Sequence, residues 1–111
     1  MRLFLATLLL LVCAPLTRSG SFVSGSTSCP SSGNTKVSTT NYALYQLTVS
    51  SKLSNTGYVH VGSSAVTTSD GGELAPGWSY TASKPSAGVA PNTLYFACTV
   101  SADSISWVGT Q

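Results

Sequence analysis

Apolar and polar residues alternate along most of this chain, a pattern typical of strands that bury one face. Residues 43–50 show it most clearly, because apolar Ala43, Tyr45, Leu47 and Val49 alternate with polar Gln46, Thr48 and Ser50. Similar short segments occupy residues 57–62, 65–68, 73–75, 78–82, 94–100 and 104–108. No segment after residue 20 has the apolar spacing of a helix. The alternation therefore predicts an all-β fold.

Turn residues recur every 8–12 residues or so between these segments, as in small antiparallel β proteins. We expect one β domain over residues 41–111, built as a small β-sandwich or a Greek-key or jelly-roll-like barrel of six to eight short strands. Residues 94–100 are the most apolar of these short segments, and they predict a central strand that is buried on both faces. Asp70, Gly71 and Gly72 predict a hairpin turn between residues 65–68 and 73–75, because Asp and Gly tolerate positive φ.

Two segments of different composition precede this predicted domain. Residues 3–16 form a 14-residue apolar run, shorter than the roughly 20 residues that cross a bilayer as a helix. Residues 1–19 therefore have the proportions of a secretory signal peptide. A retained membrane or capsid anchor and a buried N-terminal segment are the alternatives. Residues 20–40 are rich in Ser and Gly, which predicts a flexible arm or linker.

The chain has three cysteines, and only Cys29 and Cys98 remain if residues 1–19 are removed. An even number of cysteines in an exported chain indicates a disulfide. The alternative is two buried thiols that pack as small hydrophobic groups. The spacing of Cys and His matches no zinc site, so we expect no metal and no other cofactor.

Charged residues make up only 7% of the chain, against about 25% in an average soluble protein. No cluster of Lys or Arg is available to neutralise phosphates, which argues against a nucleic-acid partner. His60, the one histidine, is expected to be an exposed strand residue beside Tyr58. No G-x-S-x-G motif accompanies it, and Asp70, Glu73 and Asp103 are better explained as turn and surface residues. The sequence therefore predicts that the protein is not an enzyme.

Four side chains are candidates for contact with a partner: Tyr58, His60, Trp78 and Tyr80. The aromatic residues Tyr58, Trp78, Tyr80 and Trp107 could together form a platform for sugar rings. The alternative is that Trp78, like Trp107, packs in the small core. Strands with so few charges at their edges also favour association with copies of the chain or with another protein.

Two consecutive motifs carry a resemblance to a known class of proteins. They read NTGYVHVG at residues 55–62 and TTSDGGELAPG at residues 67–77. In this pattern the chain resembles small virion structural proteins of tailed phages, and the resemblance covers about residues 45–111. It implies a non-enzymatic β-sandwich module attached to a phage head, neck or tail.

The leading expectation is thus a virion structural protein, a capsid decoration or attachment module that acts in multiple copies through its N-terminal arm. Its partners would be other copies of itself and a capsid or other virion protein, with membrane contact only through a retained leader. The alternative is a secreted or periplasmic β-sandwich binding module or adhesin that recognises a glycan or a cell-surface partner.

The intact mass of the purified protein tests the role of residues 1–19. If they are an export signal, we expect a chain that begins near Gly20, with Cys29 and Cys98 protected from alkylation until a reductant is added. A full-length mass with three reactive thiols would contradict export and would support an anchor.

Overall fold

The computed structural model of the chain describes residues 21–83 and 88–111 and contains eight strands. The only helical element in these ranges is one 3-10 turn at Pro91–Thr93. The strands are β1 (Phe22–Ser28), β2 (Asn34–Lys36), β3 (Gln46–Ser51), β4 (Val59–Gly62), β5 (Gly72–Leu74), β6 (Ser79–Ser83), β7 (Tyr95–Cys98) and β8 (Ser104–Thr110). The predicted all-β class and the predicted number of strands are confirmed.

The strands form two four-stranded antiparallel sheets that pack as a sandwich. Their orders are β1-β8-β3-β6 and β2-β7-β4-β5. Strand β1 therefore pairs with β8, β2 with β7, β3 with β6, and β4 with β5. This nested pairing corresponds to one long hairpin rolled across two sheets, which is the jelly-roll arrangement.

Alternate residues of the strands meet between the sheets and form one core. Strands β3 and β8 bury Leu47, Val49, Ile105 and Trp107, while β4 and β7 bury Val59, Val61 and Phe96. Burying each of these side chains contributes on the order of 1.5–3 kcal/mol. Strand β7 lies between β2 and β4, and Phe96 and Ala97 are both fully buried. The prediction of a central strand in residues 94–100 is therefore confirmed for Tyr95–Cys98, while Thr99 and Val100 lie beyond its end.

The predicted flexible arm at residues 20–40 is wrong over the part that the structure describes. Strand β1 pairs with β8 along its full length, and β2 pairs with β7. Val37 is fully buried, and its carbonyl accepts a hydrogen bond from the Thr27 hydroxyl. Backbone pairing needs no apolar side chain, so the Ser- and Gly-rich composition concealed two strands. The sandwich includes β1 and β2 rather than beginning at residue 41.

The predicted inward face of residues 43–49 is partly wrong. Tyr45 is 62% exposed, whereas Leu44 is fully buried. Leu44 and Val89 exchange two backbone hydrogen bonds in an isolated bridge, and strand β3 begins only at Gln46. The bend at Tyr45 between the bridge and β3 reverses which residues face the core.

The predicted hairpin at residues 65–75 is also partly wrong. Residues 65–68 form turns rather than a strand, within a loop of residues 63–71 that connects β4 to β5. Asp70 and Gly71 lie in this loop, where Gly71 has a φ of 79°, and Gly72 begins β5. The positive φ of Gly71 agrees with the predicted turn, but β5 pairs with β4 rather than with residues 65–68.

A disulfide between Cys29 and Cys98 joins the two sheets. Cys29 follows β1 in one sheet, and Cys98 ends β7 in the other. The predicted pairing is therefore confirmed over the alternative of two free thiols. The predicted leader at residues 1–19 lies outside the described residues.

Replacement of both Cys29 and Cys98 by Ser should destabilise the protein. The bond closes a loop with a sequence separation of 69, for which the chain-entropy model predicts a loss of about 4 kcal/mol in the free energy of unfolding. Urea unfolding of the double variant and of the wild type measures this loss. A difference below about 1 kcal/mol would show that strand pairing alone holds β1 against the sandwich.

Candidate functional site

The outer face of the β1-β8-β3-β6 sheet is the most unusual surface of the protein. Burial alternates along β3, so Leu47, Val49 and Ser51 face the core while the intervening side chains face outward. The strand register extends this outer face to the neighbouring strands. Its residues are Phe22, Ser24, Ser26, Ser28, Gln46, Thr48, Ser50, Ser79, Thr81, Ser83, Ser104, Ser106, Val108 and Thr110. We call this surface the hydroxyl face, because all but Phe22, Gln46 and Val108 carry a hydroxyl group.

Hydrogen bonds between neighbouring strands order part of the hydroxyl face. The hydroxyls of Thr48 and Thr81 lie 3.0 Å apart, and those of Ser50 and Ser79 lie 2.7 Å apart. Ser26 donates from its hydroxyl to the carbonyl of Ile105 at 3.1 Å. These short side chains are therefore partly held in place before any partner binds.

The strand residues of the hydroxyl face include no charged side chain, and the nearest charge in the register is Lys52, which directly follows β3 and donates its backbone N–H to the Ser104 carbonyl at the margin of the face. Soluble surfaces usually include about 25–35% charged residues, whereas the buried centres of protein interfaces are depleted in charge. A partner that covers this face would not have to remove water from an ion. Hydroxyls can both donate and accept hydrogen bonds, so the face can satisfy either kind of polar group.

The outer face of the other sheet is covered. The loop of residues 63–71 folds over it, and the Asn34 side chain on β2 donates to the carbonyls of Ser64 and Val66 at 3.0 and 2.8 Å. Val66 is 5% exposed as a result. The charged side chains Lys36 and Glu73 also belong to this sheet. Over the described ranges, only the hydroxyl face is uncovered and has no charged residue on its strands.

His60 is buried, so the prediction that it is an exposed strand residue is wrong. It is 5% exposed, because the 63–71 loop lies over it. Its Nδ1 atom is 2.9 Å from the carbonyl oxygen of Asp70, and its Nε2 atom is 3.7 Å from a carboxylate oxygen of Glu73. In the described chain, no serine hydroxyl hydrogen-bonds to the ring. His60 therefore positions the loop and is not available as a surface contact.

The three other contact candidates remain at the surface. Tyr58 is 47% exposed, Trp78 is 62% exposed and Tyr80 is 42% exposed. Trp107, in contrast, is buried and packs against Tyr42 with ring centroids 6.5 Å apart. That pair is the only close aromatic pair among the described residues. The burial of Trp107 removes it from the predicted aromatic platform, whereas Tyr58, Trp78 and Tyr80 remain exposed to a partner.

Trp78 has an apolar neighbour at one end of the sandwich. Leu53 is 84% exposed, and a Cβ atom built on Gly77 would lie 3.2 Å from its Cδ1 atom. Gly77 has a φ of 85° and is followed directly by Trp78. Leu53 and Trp78 therefore flank the same turn and form a small exposed apolar site.

Asp103 and Asn55 hold the loop of residues 52–58 to the start of β8. The Asp103 carboxylate accepts hydrogen bonds from the backbone N–H groups of Thr56 and Gly57 at 2.9 and 2.8 Å. The Asn55 side chain donates to the Ser104 carbonyl at 2.8 Å and accepts from the Ser104 N–H at 3.0 Å. Both side chains are buried. These contacts give Asn55 and Asp103 an architectural role.

Gly57 completes this arrangement because no larger residue fits. A Cβ atom at this position would lie 2.7 Å from Cγ2 of Val100. The Asn-Thr-Gly sequence at residues 55–57 is thus explained by packing. Sequence reasoning missed the pairing with Asp103. One signal for it was available in the sequence. The chain has only three acidic residues, and Asp103 is the one that directly precedes a predicted strand, at residues 104–108.

The described residues contain no group of three or more His, Cys, Asp and Glu side chains that could hold a metal ion. No helix in the same ranges is long and apolar enough to span a membrane.

A depression lined by Gly62, Ser63, Ala65, Val66, Asp70 and Gly71 lies within the 63–71 loop. The one ionisable side chain in this lining is Asp70, whose carboxylate accepts a hydrogen bond from the backbone N–H of Thr67 at 2.7 Å.

No protein-family model, curated protein or solved structure matches this chain. The resemblance of residues 55–62 and 67–77 to phage virion proteins therefore remains a prediction.

Asp103→Ala should destabilise the sandwich far more than Asp70→Ala. Removal of the Asp103 carboxylate leaves two N–H groups without their acceptor, which costs about 3 kcal/mol in the free energy of unfolding. Asp70 is exposed and accepts from one exposed N–H, so its loss should cost only about 0.5 kcal/mol. Urea unfolding of both variants measures the difference. Equal losses would contradict the architectural role of Asp103.

Proposed function

We propose that this protein is a non-enzymatic structural module of a phage particle. It acts in multiple copies, and its hydroxyl face packs against another copy or against a capsid protein. The observation that carries the proposal is that the strand residues of one sheet face include no charged side chain, with Lys52 only at the margin, whereas the opposite face is covered by the chain's own loop. A surface of that kind suits burial in an assembly better than permanent exposure to water.

The charge balance of the chain supports repeated contacts between copies. Beyond residue 20, Lys36, Lys52 and Lys84 balance Asp70, Glu73 and Asp103. The residues beyond 20 thus carry no net charge, so copies do not repel one another over long distances through this part of the chain. Close packing of many identical modules therefore meets little electrostatic opposition.

The fold supports the same proposal without deciding it. Jelly rolls build viral capsids, but they also occur in lectins and cupins, so the site must carry the functional argument. The resemblance of residues 55–62 and 67–77 to phage virion proteins adds weight to the viral use. Attachment through a flexible arm at residues 20–40 is no longer part of the proposal, because β1 and β2 belong to the sandwich.

An exported binding module or adhesin is the second candidate, and two observations favour it. The Cys29–Cys98 disulfide suits an oxidising compartment. Trp78 exposes most of its ring at the Leu53–Trp78 turn, where it could cover the apolar face of a sugar. This candidate places the functional contact at the end of the sandwich, whereas the virion proposal places it on the hydroxyl face.

The location of the protein separates the two candidates. Antibodies against the folded protein should label purified phage particles produced by the cells that encode it. Labelling of the cell envelope, with none on particles, would overturn the virion proposal and favour the adhesin. Loss of surface binding on Trp78→Ala, with stability unchanged, would then identify the adhesin contact.

Ser106→Lys tests the hydroxyl face directly. Ser106 lies on β8, in the same row as Ser26 and Ser50, so burial of a lysine there leaves an unpaired charge inside the contact. We expect incorporation into particles to fall at least about tenfold. The matched control is Ser54→Lys in the exposed 52–58 loop, which should incorporate normally. Quantitative mass spectrometry of purified particles measures both.

The free energy of unfolding of Ser106→Lys should stay within about 1 kcal/mol of the wild-type value, because the new side chain points into solvent in the free protein. Normal incorporation of a folded Ser106→Lys protein would contradict the role of the hydroxyl face.

A further inference from the structure

The sandwich has four sheet edges, and three of them have features that discourage further pairing. Strands β2 and β5 are each three residues long and carry Lys36 and Glu73. Strand β6 has five residues and is followed in sequence by Lys84 and Pro85. Short strands, charges and prolines are the usual means by which proteins prevent edge-to-edge association.

Strand β1 has none of these features. It is the longest of the four edge strands, with seven residues, and its sequence FVSGSTS contains neither a charge nor a proline. The structure describes no neighbour on its outer side, because β1 is the first strand in the order of its sheet.

Two hydrogen bonds show which backbone groups of β1 bond to β8 and which point away from it. The N–H of Cys29 donates to the Asp103 carbonyl at 3.0 Å, and the N–H of Gln111 donates to the Ser21 carbonyl at 2.9 Å. Hydrogen-bonded pairs alternate along an antiparallel ladder. The odd-numbered residues therefore bond to β8, and the even-numbered ones point their N–H and C=O groups away from the sheet. These are Phe22, Ser24, Ser26 and Ser28.

We propose that β1 pairs with β1 of a second copy in an antiparallel arrangement centred on Gly25. Phe22 then lies opposite Ser28 of the partner subunit, and Ser24 lies opposite Ser26 of the partner subunit. All four free residues of each copy become hydrogen-bonded pairs. The two four-stranded sheets join into one eight-stranded sheet, and the hydroxyl face continues across both copies.

Gly25 explains why this register fits. The central residue of such a pair is not hydrogen-bonded to its mate, and its Cα atom lies only about 4.5 Å from the opposite Cα. Two glycines meet there without side-chain conflict. Gly25 is already required by the core, because a Cβ atom would lie 2.7 Å from Nε1 of Trp107.

A second copy fits this edge better than a different protein does. Strand β1 has no charge with which to select a charged partner, and its outward residues after Phe22 are small serines that form no specificity pockets. The pairing is self-complementary, as a two-fold interface between identical copies requires. It also places Phe22, which is 77% exposed, beside the partner strand. The inference does not depend on the viral role, since an adhesin could pair in the same way.

Hydrogen exchange at two protein concentrations tests the pairing on the full chain as purified from cells. Analytical ultracentrifugation first identifies concentrations at which monomer and dimer dominate. In the dimer, the amides of Phe22, Ser24, Ser26 and Ser28 should become protected, while those of Val23, Gly25 and Thr27 should be protected in both states. Fast exchange of the even-numbered amides in the dimer would overturn the proposal.

Two other results of the same measurement would also overturn it. A protein that stays monomeric up to about 1 mM, near the weak limit of specific association, has no such edge contact. Even-numbered amides that are protected in the monomer would show that another segment of the same chain covers β1.

Ser24→Pro provides a variant that acts on the free side of β1 only. The proline removes an outward N–H, leaves the bonds to β8 intact and is compatible with an edge strand. We expect the dissociation constant of the dimer to rise at least about tenfold, because each copy loses a hydrogen bond and gains a steric conflict. Ser24→Ala retains the N–H and should change the constant less than about threefold.

Circular dichroism and urea unfolding confirm that each variant is folded. If Ser24→Pro fails to fold, Ser26→Pro replaces it, because residue 26 has the same outward N–H. A folded proline variant that dimerises as tightly as the wild type would contradict pairing through β1.

Discussion

The connection of β1 to the rest of the sandwich is the constraint on which the architecture depends. This strand offers few apolar side chains, yet it forms the edge of one sheet and leads into β2 at the edge of the other. Backbone pairing with β8 and the Cys29–Cys98 disulfide replace the missing hydrophobic contacts. Because Cys98 ends a central strand, the disulfide fixes the start of the jelly roll to the middle of the opposite sheet.

The difference between the two outer faces follows from this architecture. Strands β4 and β5 are short, and the 63–71 loop between them returns across their own sheet, where Asn34 and His60 bind its carbonyls. Among the residues that the structure describes, no equivalent loop covers the sheet that contains β1. The outer face of that sheet has mainly small hydroxyl side chains and no charged residue on its strands, and the even-numbered backbone groups of β1 point away from β8. Face and edge together make this side of the molecule suited to contact with other copies.

The sequence predicted the fold class well because the alternation of apolar and polar residues is a local signal. Leu47, Val49, Val59 and Val61 are buried as their spacing predicts. The failures occurred where tertiary contacts decide the outcome. Tyr45 faces outward because Leu44 pairs with Val89, which lies far along the chain. His60 is buried because a loop folds over a strand face that the alternation alone marks as exposed.

The candidate site was less predictable than the fold. The sequence pointed to aromatic residues, whereas the hydroxyl face consists of Ser and Thr from four strands that are adjacent only in the sheet. Single polar residues scattered through a chain have no spacing that identifies them as one surface. Likewise, Asn55 and Asp103 are separated by about half of the domain in sequence, and only the position of β8 in the sheet brings Asp103 to the loop that contains Asn55.

By itself, the sequence determined the all-β class, the central position of residues 94–100 and the two cysteines available to form a disulfide. These properties depend on local periodicity and composition, which are present before folding. Only the tertiary structure decided that residues 22–28 and 34–36 are strands, that His60 is covered, and that one of the two outer sheet faces has no covering loop in the part of the chain that the structure describes. These outcomes depend on contacts between segments that are distant in sequence, such as the backbone pairing of β1 with β8 and the side-chain hydrogen bonds from Asn34 to the 63–71 loop, and local periodicity does not encode such contacts.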